Sequence, residues 1–432
     1  MILTILVVLG LFIYSLTSIN NFYLANILIA TLLPTLDRWM GGLPITFASI
    51  KYPVMFIGIL VYVLKYSPLV SKNVIKPLAI WLLFLILMFV LSRSYRDTSL
   101  FKGFNFTGLS LLPLILVSSK KELNLDLLFA DIFNYIFLPV ALFGLFQYMI
   151  GPVMFKQLGF SLVTPNTMSV YNITFYEFTD SKVGGLRPFS FLVSSADFSV
   201  LMFHACLWSF ILSPKKEYLI MPIKYLRLIF IIGLFLAQFI TLILITIFCV
   251  FIYKINYIKK IISFPILLKG IIVFIVITSL FYFLLPEPFN RFLQSLRLVT
   301  DDGRITSLGQ RFIYITRYPR LIYGHAIKGH GFMMPYEIFS SDCKYLYFTL
   351  FTGVPLTIFY IYILVMFLKK SYNKITEGEK GNDIYKLVGL VFLAILINDL
   401  SNGQIETSSP SNFLVWTLAG LIYNPSTKKY KI

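Results

Sequence analysis

The stretch "SSDCKYLYFTLFTGVPLTIFYIYIL", residues 340–364, begins with polar residues and continues as an apolar run to residue 368. Such a run is long enough to enter a bilayer as one helix, with its polar start at the membrane surface. Similar apolar runs recur along the chain, which is 58% hydrophobic and only 13% charged. Soluble proteins carry about a quarter charged residues. We therefore predict an all-α polytopic membrane protein with about 12–13 transmembrane helices, forming one integral membrane domain over residues 1–432.

Lysine clusters between the apolar runs indicate which loops face the cytoplasm, because such loops are enriched in basic residues. With those loops inside, two long loops fall on the opposite side of the membrane, residues 151–188 and 286–344. Connections of this length are usually functional. The net charge of +18 has the same origin in cytoplasmic lysine, so we expect no nucleic-acid partner.

Two further runs carry expectations about helix boundaries. Residues 228–253 would, as a single crossing, move the next lysine-rich loop outside. We therefore predict two short helices joined near "AQFIT", residues 237–241, with a single crossing as the alternative. The opening stretch "MILTILVVLGLFIYSLTS" lacks a basic start, so it predicts a first helix rather than a cleaved signal peptide.

The arginines are distributed differently from the lysines. Ten of the eleven arginines fall in the external segments, and Arg227 is the exception. Because the guanidinium group presents a planar fork of donors that suits phosphate and carboxylate, this distribution predicts an external anion site, and a lipid-linked phosphate fits it. The alternative is that individual arginines pair with nearby carboxylates or lipid headgroups. The candidate anion ligands are Arg187, Arg304, Arg311, Arg317 and Arg320.

The second long loop contains "GQRFIYITRYPRLIYGHAIKGHGF", residues 309–332. Pro319 predicts that a helix carrying Arg311 ends near Tyr318. His325 and His330 are candidates for acid–base or hydrogen-bonding roles, with an ordinary loop role as the alternative. They offer too few ligands for zinc, so we predict no metal site.

Carboxylates accompany this loop at the start of the following helix. Asp342 fits either an N-cap or a general base that deprotonates a hydroxyl group, and Glu337 is a second candidate for the base. Asp399 and Glu406 flank the last external loop and could reach the same cavity.

Taken in order, these segments resemble a known superfamily. One pattern is "RPFSF" followed by "SADF" and a helix, and a second is a long loop with an arginine-bearing helix ahead of "SDCKYLYFTLFTGVP". In this order they resemble the O-antigen polymerases and O-antigen ligases over roughly residues 125–424. Arg187 matches the arginine that closes the first loop, and Arg311 matches the arginine of the second-loop helix. Arg320 and Gly331 match an arginine–glycine spacing found in such polymerases. The family's "T-x-S-R" motif, expected between the two short helices, is absent from this chain, and "QFIT" (residues 238–241) stands in its place.

The resemblance implies a metal-independent, cofactor-free glycosyltransferase of the C type in the bacterial inner membrane, with its active site facing the periplasm. It implies undecaprenyl-diphosphate-linked oligosaccharides as donor and acceptor, and a chain-length regulator protein as a partner. Asp342 stands where ligases carry histidine, which favours a polymerase. The expected catalytic residues are Asp342, Arg311, Arg320 and Glu337, and the expected substrate-binding residues are Arg187, Arg304, Arg317, His325 and His330. The alternatives are an O-antigen ligase and a lipid-linked oligosaccharide flippase.

Overall fold

The structure is a computed structural model, and it describes residues 2–18, 20–25, 28, 64, 72–91, 114, 123–157, 188, 190, 192, 195–237, 239–258, 322–329, 343–378, 382–400, 405 and 409–430. Within these ranges the chain forms helices and turns and no strand, which confirms the all-α prediction for this part of the molecule. Among the described residues, the α-helices with defined bounds are α1 (Ile2–Ser15), α2 (Lys72–Leu91), α3 (Leu125–Ile132), α4 (Leu138–Gln157), α5 (Ser195–Ile211), α6 (Ile223–Leu236), α7 (Ile240–Ile258), α8 (Lys344–Thr352), α9 (Val354–Thr376), α10 (Asn382–Asn398), α11 (Ser409–Leu421) and α12 (Pro425–Lys429).

Two helical stretches in the described ranges are long and apolar enough to cross a membrane. The first is Leu125–Gly151, in which α3 continues into α4 through a π-helical turn at Phe133–Phe137. It bends at Gly151, whose φ of 70° is not helical. The second is α9, with 23 residues, about 34 Å at the rise of an α-helix.

Helix α5 lies at the centre of the described bundle. It packs against α4, α6, α7, α10 and α11, and its side chains are buried on all sides, as expected for a helix that is apolar all round. Small residues on its neighbours allow close packing. A Cβ at Gly144 of α4 would lie 2.5 Å from Phe198 Cζ, and one at Gly233 of α6 would lie 2.9 Å from Met202 Sδ. Glycine therefore brings both neighbouring helices against α5.

The expected break in residues 228–253 is present. Helix α6 ends at Leu236, and α7 begins at Ile240, so the run forms two helices that both pack on α5. Helix α1 confirms that the opening stretch is helical.

The expectation of one helix through residues 345–368 is wrong. Gly353 adopts a φ of 85° and separates α8 from α9. A continuous helix would separate residues 344 and 360 by about 24 Å, yet Lys344 Nζ lies 2.9 Å from Tyr360 Oη. The backbone therefore reverses at Gly353, and α8 packs back along α9. Helix α8 has only nine residues, about 14 Å, which is too short to cross a bilayer.

Candidate functional site

Polar contacts join α8, α9 and α10, and one of them is a backbone hydrogen bond. Helix α8 starts without a side-chain cap, and its N-cap residue is Cys343. Its first amide donates to another element instead: the N–H of Lys344 lies 2.9 Å from the carbonyl oxygen of Asp399, in the turn that follows α10. This contact satisfies an N–H group that would otherwise lack a partner at the helix start, and it fixes α8 against the end of α10.

Three side chains meet at the same point. Lys344 Nζ donates to Tyr360 Oη at 2.9 Å, and Tyr360 Oη donates to Asp399 Oδ2 at 3.0 Å. Lys344 Nζ also lies 3.9 Å from Asp399 Oδ2 as an ion pair. Lys344 is 8%, Tyr360 1% and Asp399 0% exposed. We call these three residues the Lys–Tyr–Asp cluster.

The two carboxylate oxygens of Asp399 have different surroundings. Asp399 Oδ1 is buried and receives no hydrogen bond from the described residues. Burial raises the pKa of Asp399 to about 6, while the charge of Lys344 and the Tyr360 hydrogen bond act in the opposite direction. Burial lowers the pKa of Lys344 to about 8 against the opposing charge of Asp399. The charge of Lys344 and the hydrogen bond from Tyr360 thus favour the ionised form of Asp399, while burial of both charged groups opposes it.

A turn of the second long loop packs on the junction between α8 and α9. The N–H of Val354 donates to the carbonyl oxygen of Ala326 at 2.7 Å. A Cβ on Gly353 would lie 2.2 Å from the carbonyl oxygen of Ile327, so only glycine allows this approach. Tyr360 lies six residues into α9, so the Lys–Tyr–Asp cluster is about 9 Å from this junction along the helix.

The segment just after the first long loop is held on α4 by a buried side-chain amide. The Ser190 N–H donates to Gln147 Oε1 at 2.7 Å, and Gln147 Nε2 donates to the Ser190 carbonyl at 3.3 Å. The Ser190 hydroxyl donates to the carbonyl oxygen of Val140 at 2.6 Å. Ser190 has a φ of 52°, a left-handed conformation that is costly for a residue with a Cβ. Three hydrogen bonds to α4 hold it there, three residues after Arg187 in the sequence.

A second buried polar contact joins α5 to α11. His204 Nε2 lies 2.7 Å from Ser411 Oγ, and Ser411 donates its single hydroxyl proton to the carbonyl oxygen of Ile405. Nε2 must then carry the proton that Ser411 accepts. The Nδ1 of His204 has no hydrogen-bond partner in the described part of the chain, so a second proton there would be buried without an acceptor, and the imidazole is neutral.

The structure describes one of the predicted site residues. His325 lies in the turn at residues 322–329, is exposed, accepts a backbone hydrogen bond from Gly329 at 2.8 Å and donates one to Ile322 at 2.9 Å. The N-cap residue of α8 is Cys343, so Asp342, its neighbour, is not the N-cap that the sequence offered as one of two roles. The other predicted residues lie outside the described ranges: Arg187, Arg304, Arg311, Arg317, Arg320, His330, Glu337 and Asp342.

Sequence reasoning missed two members of the cluster and noticed the third. The sequence predicts that Asp399 can reach the cavity beside the second loop, but it predicts that Lys344 and Tyr360 belong to a single helix. The signal for the reversal was present in "TGVP": Gly353 permits the positive φ, and Pro355 suits the first turn of a new helix.

No protein-family model matches this sequence, and no curated protein matches it either.

Proposed function

We propose that the chain is a polytopic inner-membrane glycosyltransferase that polymerises undecaprenyl-diphosphate-linked oligosaccharide repeat units at the periplasmic face. Its membrane location is supported by large apolar side chains that several helices expose at helical spacing. Examples are Leu142, Phe146 and Met149 on α4, and Ile358, Tyr362 and Val365 on α9. Soluble proteins rarely expose contiguous apolar surface of this kind, and lipid is its natural partner.

One observation carries the proposed chemistry. The buried carboxylate of Asp399, held by Tyr360 and Lys344, lies at the point where the arginine-bearing second loop leads into α8. Joining sugars from a lipid diphosphate needs a group that stabilises the leaving anion and a carboxylate that receives a hydroxyl proton. The external arginines and the carboxylates around residue 343 supply both types of group. In support of this, the turn at residues 322–329, which belongs to the same loop as four of the candidate arginines, packs on Gly353 between α8 and α9.

In this proposal Arg311 and Arg320 contact the donor diphosphate as it leaves, and Arg187, Arg304 and Arg317 add positive charge around it. Asp342, with Glu337 as the second candidate, accepts the proton of the acceptor hydroxyl. The Lys–Tyr–Asp cluster supports this role by holding the start of α8, which follows Asp342, against the end of α10. His325 and His330 contribute hydrogen bonds to the sugars. No metal or cofactor takes part, and a chain-length regulator protein is the expected partner.

Deletion of the gene, followed by electrophoresis of the surface polysaccharide, tests the proposal. A lost polymerase leaves the lipopolysaccharide core carrying a single repeat unit. A bare core with lipid-linked polymer accumulating would instead indicate a ligase, and absence of both products would indicate a flippase. The wild-type gene on a plasmid should restore the full ladder.

A further inference from the structure

We propose that the turn between α5 and α6 binds the anionic headgroups of phospholipids in the cytoplasmic leaflet. Its lysines face the lipid phosphates, and its exposed apolar side chains enter the boundary between headgroups and hydrocarbon. This proposal rests on the membrane location in the proposed function, but not on the polymerase chemistry. The binding surface, called the α5–α6 surface below, consists of Lys215, Lys216, Ile220, Lys224 and Tyr225.

A buried amide fixes the backbone of the turn. Asn134, in the π-helical turn between α3 and α4, donates from Nδ2 to the carbonyl oxygen of Tyr218 at 2.7 Å, and its Oδ1 accepts a hydrogen bond from the Ile220 N–H at 3.1 Å. Asn134 is only 4% exposed, so both hydrogen bonds are shielded from water. Turns of the π type often occur at functional positions. The backbone at residues 218–220 is therefore held in place before any ligand binds.

The base of the turn is closed by Arg227 of α6. Its Nη2 donates to the carbonyl oxygen of Ser209 at 2.6 Å, one of the last carbonyls of α5, which have no partner within their own helix. Its guanidinium group also lies 4.4 Å from the centroid of the Phe210 ring. Because the turn is attached at its tip and at its base, binding a ligand requires little further ordering.

Apolar side chains of the turn alternate between the core and the surface. Leu219 and Met221 pack against the hydrophobic core, whereas Ile220 between them is 63% exposed. On α6, Tyr225 and Leu228 are also more than half exposed, and their spacing of three residues places them on one face of the helix. Tyrosine is enriched at the boundary between membrane and water. The pattern favours a lipid boundary along this edge of the turn.

The charge of the turn is positive. Lys215, Lys216 and Lys224 are exposed, and Glu217 is the one acidic residue in residues 212–225, so three positive charges stand against one negative charge. Glu217 lies 3.8 Å from Lys215, while Lys216 and Lys224 form no ion pair with the residues that the structure describes. Two ammonium groups are thus available to an anion from the cytoplasmic leaflet, whose surface potential is negative.

An anionic phospholipid matches both features of the α5–α6 surface. Its phosphate is complementary to the lysines, and its acyl chains cover the exposed apolar side chains. Lys224 Nζ lies 4.8 Å from the centroid of the Tyr225 ring, so charge and aromatic surface are presented together. An acidic protein segment would match the lysines alone, and a zwitterionic lipid would match the apolar side chains alone.

The test uses the full chain in neutral detergent and measures by native mass spectrometry the dissociation constant of the first bound lipid. The wild-type chain should bind phosphatidylglycerol more tightly than phosphatidylcholine. Lys216→Gln/Lys224→Gln should weaken phosphatidylglycerol binding about 30-fold, at about fivefold for each lysine, and leave phosphatidylcholine binding unchanged. The matched control is Lys254→Gln/Lys369→Gln, which removes two exposed lysines on α7 and α9 and should weaken binding far less.

Two further variants test how the surface is built. Ile220→Ser should weaken the binding of both lipids, because it removes apolar contact without changing charge. Asn134→Ala should weaken phosphatidylglycerol binding although every lysine remains, because the turn is no longer held. The unfolding temperature in detergent shows whether Asn134→Ala keeps its fold, and the lysine variants, at exposed positions, test the proposal without it.

Several results would overturn the lipid assignment. Equal weakening in the two double lysine variants would assign the attraction to net charge rather than to this surface. Binding of polyglutamate in preference to phosphatidylglycerol would indicate a protein partner instead. Stable insertion in liposomes without any preference for phosphatidylglycerol would overturn this inference alone, whereas failure to insert would contradict the membrane location on which it rests.

Discussion

The backbone N–H of Val354 lies 2.7 Å from the carbonyl oxygen of Ala326, as its hydrogen-bond donor. This single contact joins a turn of the second long loop to the first residue of α9. It occurs because Gly353, immediately before Val354, has no Cβ and lets the backbone of Ile327 approach. The loop that carries the candidate arginines is thereby attached to the helix that carries Tyr360.

Replacing Gly353 by alanine should separate the loop from α9. The new Cβ would lie 2.2 Å from the Ile327 carbonyl oxygen, in addition to the strain of a φ of 85°. We expect a loss of about 3 kcal/mol in stability, from the left-handed conformation, the displaced turn and the lost Val354 hydrogen bond. Thermal unfolding in detergent measures this loss.

The matched control is Gly378→Ala. Gly378 has a φ of 68°, but a Cβ there meets nothing within 4 Å. This variant carries the conformational strain alone, about 1–2 kcal/mol. Equal losses in the two variants would show that the approach of Ile327 contributes nothing.

Gln147→Leu should weaken the attachment of the first loop to α4. The substitution removes both amide contacts and leaves the buried N–H and carbonyl groups of Ser190 without this partner. We expect a loss of about 2–5 kcal/mol and faster proteolysis of the first loop. Met149→Leu, at a side chain of α4 that is 83% exposed, is the control and should change neither. A stable, protease-resistant Gln147→Leu variant would contradict this account of Ser190.

His204 and Ser411 should show coupled stabilities. Ser411→Ala leaves the Nε2 proton of His204 buried without its acceptor, at a cost of about 1–3 kcal/mol. His204→Leu removes that proton as well, so the double variant should lose about 1–2 kcal/mol less than the sum of the single variants. Ser209→Ala is the control for a serine that does not contact His204, because the Ser209 hydroxyl donates only within its own helix, to the Cys206 carbonyl. Additive losses for His204 and Ser411 would contradict this hydrogen bond.

Substitutions of Arg311 and Arg320 should show whether the proposed anion site needs positive charge alone or also the bidentate geometry of a guanidinium group. Arg311→Ala and Arg320→Ala should abolish long polysaccharide chains while the protein still inserts in the membrane. Arg311→Lys keeps the charge but loses the planar fork, so it should restore only part of the chain length on a polysaccharide gel. Lys215→Ala, at an exposed lysine whose side chain is 60% accessible, should give normal chains. Normal chains in both arginine-to-alanine variants would exclude the diphosphate contact.

Local patterns in the sequence anticipated local structure well. The apolar opening stretch located α1, and the need to keep lysine on one side placed the break between Leu236 and Ile240. The reversal at Gly353 was accessible in principle, since a glycine followed two residues later by proline is a common helix boundary. Helical periodicity could not show it, because both sides of the break are equally apolar.

The cluster itself could not be predicted from one sequence. Lys344, Tyr360 and Asp399 come from three elements, and their contact depends on how α8 packs back along α9 and meets the end of α10. Nor does any local signal place Ser190 in the left-handed region, because buried hydrogen bonds to Gln147 and Val140 hold it there. Long-range packing decides both features.

Reconstitution tests the central claim most directly. The purified chain, placed in liposomes with undecaprenyl-diphosphate-linked repeat units and no other protein, should convert single units into a ladder of longer lipid-linked chains. The ladder should appear without added divalent metal. Repeat units that stay single under these conditions, while the protein remains folded, would contradict the account.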